Sequence, residues 1–183
     1  RALYATLPDT QRNQATCLYN AGLALAAMGE HATALERYDA ARALYATLPD
    51  TQRDQAACLN KAGTALYAVG ERAAAVERFD AARALYATLP DTQYDQLDCL
   101  NKACIVLVAL GEHAAVAERF DAARALFATI DGTQHIQACC LDTAGNALRR
   151  VGEHAAATNR YYAAFALYAT LPDTQRNQAN CLN

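Results

Sequence analysis

The eleven residues RALYATLPDTQ occur three times, at Arg1–Gln11, Arg42–Gln52 and Arg83–Gln93, always 41 residues apart. A fixed period of this length constrains the fold more than any other property of the chain. Each period repeats one small unit, which is too short to bury its own apolar stripe and therefore stacks on its neighbours. The whole 183-residue chain follows the period as a single array. Residues 11–51, 52–92, 93–133 and 134–174 form four complete repeats; residues 1–10 read as a partial second helix and turn, and residues 175–183 as a partial first helix.

The second repeat shows what the unit is. In its first half Cys58, Leu59, Ala62, Ala65, Leu66 and Val69 recur at the spacing of one helical face. Gly70 interrupts, as a helix C-cap does. Val76, Phe79, Ala82, Leu85, Tyr86 and Leu89 then mark a second helix, which stops at Pro90-Asp91-Thr92. Asp91 or Thr92 is placed to cap the helix that follows. Each repeat is thus helix, Gly turn, helix, Pro-Asp-Thr turn, and the chain is expected to be an all-α solenoid of antiparallel helix pairs.

Charge and cysteine placement narrow the function. With 16 basic against 19 acidic side chains, the chain lacks the basic footprint of a nucleic-acid binder. No apolar run reaches the roughly 18 residues of a membrane span, and no signal peptide is evident. Opening on Arg1 inside a repeated phrase, the chain reads as a piece of a longer protein. Five of the seven cysteines, Cys17, Cys58, Cys99, Cys140 and Cys181, recur at the period, which makes them packing residues. With no CxxC pair and an odd total, a reducing cytoplasmic setting is expected.

Leu59-Asn60-Lys61-Ala62-Gly63-Thr64-Ala65-Leu66, followed by Gly70, Ala75, Phe79 and Ala82, resembles the tetratricopeptide repeat signature. The common unit has about 34 residues, so this one is similar to the longer repeats of kinesin light chains and bacterial signalling proteins. The resemblance implies a right-handed superhelix whose first helices line a concave groove that binds protein or peptide. It carries fold rather than function, because the signature residues are structural.

Differences between near-identical repeats mark positions not needed for stacking. They fall on one stripe of the first helix. Tyr19, Asn20, Leu23 and Ala26 of repeat one become Asn60, Lys61, Thr64 and Tyr67 in repeat two, then Asn101, Lys102, Ile105 and Val108, then Asp142, Thr143, Asn146 and Arg149. A constant frame with a variable inner stripe suits a peptide-binding groove, aromatic at its start and amide-and-ammonium in its middle. Its end is cationic at Arg149 and Arg150, so the ligand is expected to be acidic. Long-repeat relatives grip a peptide backbone with an Asn ladder on this face. Asn20, Asn60, Asn101 and Asn183 match it, Tyr19, Lys61, Lys102, Asp142 and Thr143 break it, and the Lys, Asn and Arg columns of a carboxylate clamp are not matched.

No Gly-rich phosphate loop, nucleophile elbow or paired-carboxylate site appears, so neither catalysis nor a cofactor is expected. His31, His113 and His154 share a column with Arg72 and read as surface residues. His135 near Cys139 and Cys140 is weakly metal-like but lacks a third ligand at known spacing. Asp39 can pair with Arg42 at i+3. Cys104 and Val116 replace the frame's smaller Gly and Ala, so the third pair is expected to spread slightly. On the outer face of repeat four Tyr162 and Phe165 stand where charge is usual, a candidate secondary surface. Uncapped ends, carrying Leu3, Tyr4 and Leu7 at one terminus and Leu167, Tyr168, Leu171, Cys181 and Leu182 at the other, suggest head-to-tail self-association. Two alternatives accompany the binding scaffold: a self-assembling structural array, and a regulatory region of a larger signalling ATPase or transcription regulator.

Overall fold

The structure, a computed structural model, describes residues 8–127, 134–172 and Cys181. Eight helices run in chain order through them: α1 (Pro8–Ala27), α2 (His31–Tyr45), α3 (Gln52–Ala68), α4 (Arg72–Tyr86), α5 (Gln93–Leu110), α6 (His113–Phe127), α7 (Gln134–Arg150) and α8 (His154–Tyr168). The regular elements among the described residues are all helical, as the 41-residue pattern requires. The half-helices expected at 1–7 and after 174, with Leu3, Tyr4, Leu7 and Leu182, lie outside the described residues apart from Cys181.

Both turns of the repeat have a physical cause. Gly29, Gly70, Gly111 and Gly152 sit at φ +83, +90, +82 and +84. That left-handed conformation lets a helix end in a Schellman motif, with Glu71 N–H donating to Leu66 C=O at 2.9 Å and Gly70 N–H to Tyr67 C=O at 3.1 Å. The same pair of bonds closes the other three turns. At the Pro-Asp-Thr turns Asp50 and Asp91 hold the left-handed conformation, both at φ 54, which a short polar side chain tolerates better than most.

The threonines of these turns work differently from the sequence expectation. Thr51 stands at the N-cap of α3 but makes no side-chain cap. Its hydroxyl donates backward to Tyr45 C=O at 2.6 Å and Leu48 C=O at 3.0 Å, while Gln55 donates to it at 3.1 Å. Thr92 repeats the arrangement with Tyr86 and Leu89, and receives Gln96. A residue that is fully buried has carbonyls of the preceding helix within reach, and those orphans need a donor. At the start of the chain Pro8-Asp9-Thr10 is helical instead, consistent with proline's fit to a first helical turn.

In the first, second and fourth pairs the helices pack closely because a glycine on the first faces an aromatic ring on the second. A Cβ at Gly22 would lie 2.6 Å from Tyr38, at Gly63 2.8 Å from Phe79, and at Gly145 2.7 Å from Tyr161. Successive pairs are joined by small residues and the cysteine column: Cys58 packs with Ala15, Ala41 and Tyr45, and Cys99 with Ala56, Leu59, Ala82 and Tyr86. Cys58, Cys99, Cys140 and Cys181 are buried as expected, whereas Cys17 is exposed. The helix that buries Cys58 is α2 of the preceding repeat, and the one that buries Cys99 is α4.

Two compact units divide the chain, Arg1–Val106 and Leu107–Asn183, with the boundary inside α5. The expected spread of the third pair falls across that boundary; Cys104 in the first unit and Val116 in the second are both fully buried. Asp39 does not pair with Arg42. It reaches forward one repeat, from α2 to Arg78 of α4, at 3.1 Å.

Candidate functional site: the exposed faces of the first helices

In the first unit the variable stripe is carried by α1, α3 and α5. Tyr19 is half-buried, its ring 5.8 Å from that of Tyr38. Asn20 and Thr64 are exposed, and Lys61, Asn101 and Lys102 half-buried. Three large apolar residues of the stripe remain at the surface, Leu23 at 37%, Tyr67 at 40% and Ile105 at 45% exposure. Thr64, Tyr67, Phe79, Lys102, Ile105 and Val106 line a small hollow of about 120 Å³ between α3 and α5.

Asn60 corrects one expectation. Its side chain is buried, at 8% exposure, and is not an open ladder amide. It donates to Asp98 at 2.8 Å and accepts from the Lys102 ammonium at 3.0 Å, while Lys102 also meets Asp98 at 2.6 Å. A carboxamide that donates and accepts at once fits between an acid and a base. Asp98 is the residue the stripe reading undervalued. Its column holds Thr16, Ala57, Asp98 and Cys139, and Asp98 adds a second link to the direct Lys102–Asn60 bond by meeting both side chains.

In the second unit Asp142, Thr143 and Asn146 are half-buried and Arg149 is exposed. Asn146 donates to Asp142 C=O at 3.0 Å and accepts from the Tyr161 hydroxyl at 3.2 Å. Burial pushes the Asp142 carboxyl up, offset in part by the Cys181 thiol beside it. Tyr162 is 61% exposed, but Phe165 is half-buried against the Ala138, Ala164, Tyr168 and Cys181 cluster. The aromatic stripe of α8 is therefore one exposed ring and one packed ring, with Phe165 in the column that holds half-buried Arg42 and Arg83 in earlier repeats. His135 Nδ1 lies 3.6 Å from Cys139 Sγ. Among the described residues no group of three His, Cys, Asp or Glu side chains could hold a metal, and no helix is long and apolar enough to cross a membrane.

Comparison with known proteins bears on this arrangement through the fold. No family model matches the chain, and no curated protein matches it. Among solved structures, the apo form of RapI superposes with a TM-score of 0.81 at 13% identity, over 92% of this chain and 46% of RapI. A putative kinesin light chain of Podosopora anserina with nearly identical TPR-like repeats gives 0.71 at 20% identity, over 88% of this chain and 77% of that one. MamA gives 0.68 at 20%, covering 91% and 85%. The fold is tetratricopeptide-like. The chain spans less than half the length of RapI.

Proposed function

We propose that this chain is a non-catalytic scaffold that binds a protein or an extended peptide along the concave side formed by its first helices. The observation that carries this reading is the first-unit stripe, where Leu23, Tyr67 and Ile105 stay exposed among amide and ammonium groups. Exposed apolar side chains set among satisfied polar ones are the usual composition of a recognition surface. A Rap conjugation gene regulator of similar fold, at 17% identity and a TM-score of 0.63, has been solved in complex with the Phr* peptide, which favours peptide over other ligands. An acidic ligand is supported chiefly by Arg149 and Arg150, since Lys102 is already held by Asp98. The buried cysteine column fits a cytoplasmic protein.

Peptides selected from a random display library on the immobilised protein provide the test. Tyr67→Ala and Ile105→Ala are each expected to weaken the selected peptides about tenfold or more, as truncation of a large interface anchor does. Glu36→Ala with Arg37→Ala, on the exposed side of α2, leaves affinity unchanged. Failure to select any peptide, or affinities indifferent to Tyr67 and Ile105, overturns the reading.

Head-to-tail self-association is a second reading, favoured by one observation. The α1 face that would receive a preceding second helix presents exposed Cys17 beside a hollow of about 570 Å³ that also involves Leu18 and Leu44. Sedimentation velocity over a wide concentration range decides it: a constant monomer mass removes it. Regulation of a larger signalling protein rests on likeness to Rap alone.

A further inference from the structure

One column of the fold carries a hydroxyl in three repeats; two accommodate it and one does not. The second helix of a repeat ends in Tyr45, Tyr86, Phe127 or Tyr168, and the first helix offers Thr16, Ala57, Asp98 or Cys139 at the matching place. Tyr45 and Thr16 share a hydrogen bond of 2.9 Å. Tyr168 donates to the Cys139 sulfur at 3.3 Å. Phe127 has no hydroxyl, and Asp98 is occupied by Asn60 and Lys102. Tyr86 faces Ala57, which can offer nothing. Its side chain is only 4% exposed, yet its hydroxyl has no hydrogen-bond partner among the described residues.

That hydroxyl opens on a pocket of about 360 Å³, lined also by Tyr19, Tyr45, Arg53, Asp54 and Asp95. The hydroxyl oxygen is not sealed inside protein: it faces the open pocket, where solvent or a ligand can bond it. The charges identify the ligand. Arg53 is engaged by Asp95 at 3.1 Å. Asp54 is half-buried and has neither an ion pair nor a hydrogen bond among the described residues. The pocket therefore keeps one carboxylate without an ion-pair partner, in the first turn of α3, beside tyrosine hydroxyls, which burial holds in their neutral form. An anion would meet two carboxylates and a guanidinium already taken. A cation with N–H donors would satisfy Asp54 and the Tyr86 and Tyr19 oxygens together. The volume lies at the lower end of small-ligand sites, roughly 300–1,000 Å³, and suits one long side chain.

We propose that this pocket receives the cationic side chain, lysine or arginine, of the bound partner. The proposal rests on the binding reading above and sharpens it by naming the side chain that the first unit takes. The test uses the intact chain and two small probes, Nα-acetyl-lysine methylamide and its norleucine counterpart, followed by amide shifts in ¹⁵N-labelled protein. The lysine probe is expected to shift Asp54, Ala57 and Tyr86, and the norleucine probe to leave them unmoved. Asp54→Asn should weaken the lysine probe about tenfold, the loss expected for removal of a partly buried charge partner. Ala57→Thr recreates the Thr16–Tyr45 pair on Tyr86, so it should fold as repeat one does while also weakening the probe. Equal shifts from both probes, or lysine binding indifferent to both substitutions, overturn the proposal. Selected peptides that bind through Tyr67 but ignore Asp54 would remove it and leave the peptide-binding reading standing; lysine-probe binding without any selectable peptide would do the reverse.

Discussion

Phe79→Ala should destabilise the protein by about 3–5 kcal/mol, the cost of truncating a buried aromatic and leaving a cavity. Phe79 is 2% exposed, and its ring lies directly over Gly63. The glycine makes the prediction sharper. Alanine in a helix interior is worth about 1 kcal/mol over glycine, but a Cβ at Gly63 would stand 2.8 Å from Phe79 Cε1 and 2.9 Å from Cδ1, too close for either to remain in place. Gly63→Ala alone is therefore expected to destabilise, and in the Phe79→Ala background to stabilise. Denaturant titration of the two single variants and the double variant measures this coupling. Additive effects would mean that the glycine–ring contact does not hold the pair together.

Stability should also fall steeply in alkali. Burial, reinforced by nearby aspartates, pushes the thiols of Cys58 and Cys99 from their ordinary 9.0 up to about 12. The folded state holds these protons more tightly than the unfolded chain does. Their contribution is thus complete below pH 9 and is lost as pH rises from there through about 12. Buried Tyr38, Tyr45 and Tyr86 are shifted upward too and act in the same direction at higher pH. Thermal melts should show Tm dropping through that window, with a smaller drop in Cys58→Ala/Cys99→Ala. Iodoacetamide at pH below 9 should label exposed Cys17 in the folded protein and leave Cys58 and Cys99 until it unfolds. A flat stability profile, or rapid labelling of all three, contradicts the buried cysteine column.

The architecture was readable because period, helical spacing and turn glycines all point to one unit. Gly70, Phe79 and the buried Cys58, Cys99 and Cys140 each stand where the pattern puts them. What escaped the sequence depends on contacts one repeat away. Thr51 looks like an N-cap until the carbonyls of Tyr45 and Leu48 are seen within its reach. Asp39 has a good local partner in Arg42 and takes Arg78 instead. Asn60 belongs to a variable column, which suggested an open face, yet Asp98 and Lys102 on the next first helix close over it. There the side-chain set of one repeat is completed by its neighbour. The unpaired Tyr86 hydroxyl was visible in principle, as the one Tyr set against Ala57, once the two columns are known to meet.

The division between a stacking frame and a binding stripe is tested most directly by mapping a selected peptide on the ¹⁵N-labelled chain. Shifts should gather on Asn20, Leu23, Thr64, Tyr67, Lys102 and Ile105 and spare the second-helix residues Glu36, Arg37, Arg72 and Glu77. A map centred on those second-helix residues, with the first helices silent, would contradict the assignment of function to the variable columns.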